Sequence, residues 1–194
     1  MIVWPSWRLR SSPVEPPVDP VEAARTRLFT TFRWLDGHAD VARLFHDREL
    51  LHLVGPALAA PFLGAGVSVV VALEAIGFIP AVLTAQRLGV GLALVRKHPR
   101  PGTSALSLAT VTEPDWRGRK HHLLLRRDHV ARSDRVLIVD EWVQTGSQAS
   151  AALALIERCG AEWVGTSAVV DDVEDSSVRE RLRLVGIVRR HELG

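Results

Sequence analysis

The segment VLIVDEWVQTGSQ, from Val136 to Gln148, constrains this 194-residue chain more than any other. Its first four residues are apolar, as in a short strand buried on both faces. Two acids follow, and then Thr145, Gly146 and Ser147 open a helical pattern that runs to Cys159 and stops at Gly160. Strand, short polar loop and helix in this order are the building unit of an α/β fold. Backbone N–H groups of such a loop, together with the helix N-terminus, aim partial positive charge at one point, where a phosphate fits. Asp140 and Glu141 just ahead of it repel a bare anion. A sugar phosphate removes the conflict, because the carboxylates accept from vicinal hydroxyls while the loop holds the phosphate. By itself the same text also fits an ordinary strand-to-helix turn carrying two surface acids. Walker and dinucleotide loops are excluded: neither glycine pattern follows a strand, and GAGVSV near Gly64 precedes one.

The alternation repeats along the chain. VSVVVAL (Val67 to Leu73) predicts a buried strand, Ala75 to Leu88 a helix, and Leu88 to Val95 the next strand, which together make a βαβ unit. Trp163 to Val170, a helix over Val178 to Leu184 and the strand GIVR extend the pattern. Apolar positions between Asp40 and Leu63 have helical spacing with a break near Asp47 and are expected to cover the sheet. The fold class is therefore α/β, with a mainly parallel sheet flanked by helices. Thr103 to Arg132 differs: Lys, Arg and His fill seven positions from Arg117 to Arg127, and a polar excursion of that length is functional or disordered. His121 and His122 are neighbours, which in a strand point to opposite faces, so they do not form a joint metal site.

The length favours a single domain. Five of the eleven prolines fall in residues 1–22, read as a mobile arm ahead of one domain over 23–194. A net charge of +2 gives little support for nucleic acid as a partner. The N-terminus lacks the apolar core of a signal peptide, and the apolar run from Val67 to Val95 is broken by Glu74, Gly77, Pro80, Gln86 and Arg87, so no membrane span is expected. A single cysteine, Cys159, makes no internal disulfide and fits a reducing cytoplasm.

The strand, acidic pair and loop VDEWVQTGSQ resemble the phosphoribosyl pyrophosphate (PRPP) motif of type I phosphoribosyltransferases. Ser147 stands where the family commonly has glycine and Gln148 where it has threonine. From about Asp36 to Asp172 the order of parts is similar to that of the adenine and xanthine enzymes, including LEAI after the first strand and Arg96-Lys97 after the second. The resemblance implies the type I fold with a small N-terminal hood and a mobile catalytic loop, a homodimer, and Mg2+ held through PRPP and water with no direct protein ligand. It assigns Val143, Gln144, Thr145, Gly146, Ser147 and Gln148 to the phosphate, Asp140 and Glu141 to the ribose, and Glu74, Ala75, Arg96 and Lys97 to the pyrophosphate. Ile76 replaces an arginine common in adenine enzymes. Arg117, Arg119 and Lys120 are assigned to the loop that neutralises the leaving group. Trp34, Leu35, Asp36, Val170 and Asp172 are assigned to the base, although Trp34 and Leu35 also read as plain core. An aspartate at 172, where oxopurine enzymes often carry lysine, favours an amino-bearing base, adenine first. Transfer of phosphoribosyl to a purine is the implied reaction. A PRPP-binding regulator without catalysis, or a transferase for an acceptor outside salvage, stays open at this point.

Overall fold

The computed structural model describes residues 19–97, 106–115 and 117–194; residues 1–18 of the predicted arm lie outside this range. Pro20 to Glu22, the rest of that arm, form the first turn of α1 (Pro20–Thr31), which Asp19 caps by accepting from the Val21 and Glu22 N–H groups. A hairpin of β1 (Trp34–Leu35) and β2 (His38–Ala39) follows, then α2 (Val41–His46) and α3 (Arg48–Ala59). The predicted break falls at Asp47, whose carboxylate caps α3 at the Leu50 N–H. The chain continues through β3 (Val69–Leu73), α4 (Phe78–Leu88), β4 (Gly91–Arg96), β5 (Ser107–Val111), β6 (His122–Arg126), β7 (Arg135–Val143), α5 (Ser147–Cys159), β8 (Glu162–Asp171), α6 (Ser176–Arg181) and β9 (Leu184–Arg189).

Seven strands form one sheet in the order β5-β6-β4-β3-β7-β8-β9. The five from β4 to β9 are mutually parallel, and the β5–β6 hairpin adds antiparallel at one edge. The central strands are apolar on both sides. Val70, Ala72, Leu137 and Val139 pack with α1, α3 and α4, whereas Val71, Leu73, Val136 and Ile138 pack under Leu155 and Ile156 of α5. The period-2 alternation of β-strands divides one apolar run between two cores.

Two of the parallel crossovers leave the middle of the sheet in opposite directions, β3 to β4 on one side and β7 to β8 on the other. Right-handed connections running in opposite directions place α4 and α5 on opposite faces. A crevice therefore opens beyond the C-terminal ends of β3 and β7, the place where open α/β sheets collect ligands.

Several expected boundaries move, and β4 begins at Gly91 rather than at Leu88, which closes α4. α4 begins at Phe78 rather than Ala75, because Glu74 to Gly77 form a loop with a cis Glu74–Ala75 peptide. β7 does not stop at Val139 but carries the acidic pair within it to Val143, since β8 continues alongside and pairs Asp140 with Ala168 and Val143 with Asp171. The last helix ends at Arg181 rather than Leu184, which already belongs to β9. Part of the polar excursion is a hairpin: Leu123 and Leu125 alternate inward within HLLLR, a pattern masked in the sequence by the surrounding bases. None of the described helices is long and apolar enough to cross a membrane. Leu155 is fully buried in the α5 core. Leu155→Ala is expected to lower unfolding free energy by about 2–5 kcal/mol, read as a lower urea midpoint at unchanged m-value.

Candidate active site

A cleft of about 630 Å³ opens at the C-terminal edge of β7 and β8. Its floor is the turn from Gln144 to Gly146 and the first residues of α5. Gly146 adopts φ 72°, and a Cβ there meets Leu182 and Val178 side-chain atoms at 2.7 and 2.8 Å, so only glycine closes the turn without displacing α6. Gly146 has no side chain to cap the helix. Thr145 Oγ1 accepts from the Ser147 N–H at 3.3 Å and donates to Ser147 Oγ at 3.0 Å. The turn thus gathers two hydroxyls and the positive end of a 13-residue helix at one spot, an anion site by its electrostatics.

Asp140 enters the same cleft from β7 at 8% exposure. Burial, and then the neighbouring Glu141 carboxylate, push its carboxyl well above the ordinary range. Glu141 Oε2 is buried without a hydrogen-bond partner. Between the pair and β3 lies Gly77: a Cβ on it overlaps Asp140 Oδ1 and comes within 2.7 Å of the Leu73 carbonyl and 3.0 Å of Glu141 Oε2. The absence of a side chain at 77 lets the β3 loop close on the acids. Glu74 in that loop accepts from the Lys97 N–H at 2.5 Å and from Arg96 Nη2 at 3.3 Å, which ties together the ends of β3 and β4. Arg96 also lies over the Phe78 ring at 5.9 Å, with its Nε buried and unpartnered. Glu74, Ala75, Arg96 and Lys97 therefore flank the acidic pair from the β3–β4 side rather than line the main cleft.

At the opposite rim stand Trp34, His38, Trp142, Asp172 and Arg190. Trp34 meets Phe32 edge-on at 5.0 Å and Trp142 at 6.2 Å, and Trp142 Nε1 donates to Asp172 Oδ2 at 3.0 Å. Trp34 and Asp172 are thus both brought to the cleft. Leu35, Asp36 and Val170 are not: Leu35 is 57% exposed, Asp36 occupies the turn of the β1–β2 hairpin at φ 50°, and Val170 is fully buried in the core. The dipeptide Asp36-Gly37, with positive φ at both positions, is the signature of a tight hairpin turn and was the available sign.

Of the basic loop residues, Arg117 lines the cleft, while Arg119 and Lys120 are exposed beside it. Asp115 organises this tip by accepting from the Arg117 and Arg119 N–H groups at 2.9 Å and from the His121 ring at 3.0 Å. The His121 hydrogen bond, ahead of the Arg119 N–H, holds the Asp115 carboxyl down to about 2, so it is ionised at neutral pH. Asp115, Trp142, Gly77 and Arg190 were not singled out in the sequence. Each is meaningful only through what the fold places beside it.

A carboxyl that is raised on folding binds its proton more tightly in the folded chain than in the unfolded one. Asp140 therefore makes stability fall as pH rises from the unfolded carboxylate range, about 4, through its higher folded value. Asp140→Asn is expected to melt at a higher temperature than the wild type at pH 7 and to lose that slope, as followed by thermal denaturation between pH 4 and 8.

Residues 58–186 match the family profile described as the phosphoribosyl transferase domain. The chain is 34% identical over 148 residues to adenine phosphoribosyltransferase of Jannaschia sp. (strain CCS1), spanning 76% of this chain and 80% of that one. It is 30% identical over 125 residues to xanthine phosphoribosyltransferase of Pseudomonas putida (strain F1), spanning 64% of this chain and 66% of the relative. The crystal structure of adenine phosphoribosyltransferase from Rhodothermus marinus superposes with a TM-score of 0.73 at 26% identity, covering 87% of this chain and 99% of that one. With its buried acids, anion-binding turn and strand order beside these likenesses, the chain belongs to the phosphoribosyltransferase family.

Proposed function

We propose that the protein transfers the phosphoribosyl group of PRPP to a purine base, with adenine the favoured acceptor, and releases pyrophosphate and a nucleoside monophosphate. The observation that carries this reading is one cleft holding both a buried carboxylate, Asp140, and the open N-terminus of α5. The turn from Val143 to Gln148 takes the 5′-phosphate through its backbone N–H groups and the Thr145 and Ser147 hydroxyls. Asp140 and Glu141 accept from the two ribose hydroxyls, which gives the orphaned Glu141 Oε2 a donor. The loop at Glu74 and Ala75 borders the pyrophosphate together with Arg96 and Lys97. Arg117, Arg119 and Lys120 close over it and exclude water.

A ring nitrogen of the base bonds to C1′ as the bond from C1′ to the pyrophosphate oxygen breaks, the bonding pair leaves with pyrophosphate, and the ring N–H proton of the base is released with it. Positive charge that builds on the ribose lies beside the Asp140 and Glu141 carboxylates, while the loop cations meet the growing charge on the leaving group. The donor set suits a PRPP-bound Mg2+: the orphaned, buried oxygen of Glu141 and the strained acidity of Asp140 mark a place that tolerates added positive charge. A Mg2+ brought in with PRPP would supply neutralisation of the diphosphate, with Asp140 and Glu141 facing it rather than ligating it.

The acceptor lies against Trp34, with Asp172 accepting from its amino group. Support for adenine comes from that carboxylate and from the likeness to an adenine enzyme. On this reading residues 23–194 work as a single domain that includes the β1–β2 hood, in a cytoplasmic homodimer serving purine salvage.

The test is pyrophosphate release from PRPP and Mg2+ with adenine, guanine, hypoxanthine or xanthine, with the double variant Asp140→Asn, Glu141→Gln as control. Turnover is expected with adenine above the others and is expected to vanish in the control; silence with all four bases while PRPP still binds would overturn the reading. Gly77→Ala, which pushes the β3 loop off the acidic pair, is expected to weaken PRPP affinity about tenfold or more by calorimetry.

A further inference from the structure

The C-terminal turn, Arg190–Leu193, reaches back to the hood. Glu192 accepts from the Arg189 N–H at 2.6 Å and from Arg25 of α1 at 3.2 Å, which anchors the turn to the first helix. The Gly194 carbonyl accepts from Trp34 Nε1 at 2.8 Å. Arg190 is half-buried, lines the cleft, and holds its Cζ 4.6 Å from the centroid of the Trp34 ring.

Two neighbouring arginines have carboxylate partners. Arg179 and Arg189 both reach Asp171, at 2.8 and 3.5 Å. Arg190 forms no ion pair with any described residue and rests on the Trp34 face instead. A guanidinium carries five N–H donors and no acceptor, and its place over the indole leaves those donors for partners at its edge. On the same rim, Asp172 keeps Oδ1 outside its bond to Trp142 and offers only acceptors. A fixed donor and a fixed acceptor on one rim complement a heterocycle edge that has an N–H beside a lone pair, which is the edge of an aminopurine.

We propose that Arg190 is a specificity-determining residue for the acceptor base, donating to a ring nitrogen while Asp172 accepts from the exocyclic amino group. This rests on the purine reading above and deepens it. It also gives Trp34 a defined part: one face carries the guanidinium, and its N–H is tied to the C-terminal turn, so the ring is a wall of fixed orientation.

The experiment uses the full chain and the variants Arg190→Ala and Arg190→Lys, each checked by thermal melting. Adenine is titrated by calorimetry in the presence of PRPP and EDTA, so that Mg2+ is withheld, and PRPP is titrated separately. Arg190→Ala is expected to weaken adenine about tenfold or more and to leave PRPP within about twofold, the scale of one charge-assisted hydrogen bond. Arg190→Lys is expected to recover only part of the loss, because an ammonium does not lie flat on Trp34. Unchanged adenine affinity in Arg190→Ala overturns the assignment, as does an equal loss of PRPP affinity, which puts Arg190 on a phosphate. Pyrophosphate release by the wild type separates the two readings: no turnover with any purine removes the enzyme reading, whereas turnover with unchanged adenine binding in Arg190→Ala removes this one alone.

Discussion

The site depends on keeping two adjacent carboxylates at the end of a central strand, beneath a loop that carries no side chain where it touches them. Asp140 is nearly inaccessible, Glu141 Oε2 lacks a partner, and Gly77 comes close enough to both that an added methyl overlaps them. Nothing in the apolar cores calls for this. The pair is held by the length of β7, which runs beyond its neighbour β3 because β8 continues to hydrogen-bond with it as far as Val143. The strand that stabilises the sheet is thus also the arm that carries charge into the crevice.

Such a pair raises the free energy of the ligand-free chain, since a buried anion beside another is stabilised neither by solvent nor by a cation in contact. The surrounding structure is densely packed: both faces of the sheet are covered, and Leu137, Ile138 and Val139, just before the acids, are fully buried. Local disfavour at a functional site offset by the packing around it is common in enzymes. The opposite rim of the cleft is built differently. There Trp142 is matched with Asp172 and Trp34 with the C-terminal turn, which sets the orientation of both indoles.

Much of this was legible in the sequence because periodicity and turn chemistry are local. The run Val136 to Val139, the stop at Gly160 and the break at Asp47 each follow from residues within a few positions of one another, and the helix of Ser147 to Cys159 appears with those bounds. The strand ends at β3 and β7 were less legible, since how far a strand extends depends on its partner's register. Leu35, Asp36 and Val170 were misplaced for the same reason: a two-residue turn and the inward face of β8 decide their directions.

The sequence alone determined the fold class, the order of the central parallel strands and their helices, the turn that opens α5 and the carboxylates before it, because each is written in contiguous residues whose conformation is set by sterics and hydrogen bonding along the chain. Tertiary structure decided what meets across the cleft. Gly77 matters through its distance from Asp140, Asp115 through the backbone it gathers, and Arg190 through the indole it lies on, 156 positions earlier in the chain. Contacts of that kind arise when the sheet brings its strand ends together, and no periodicity within one segment encodes them.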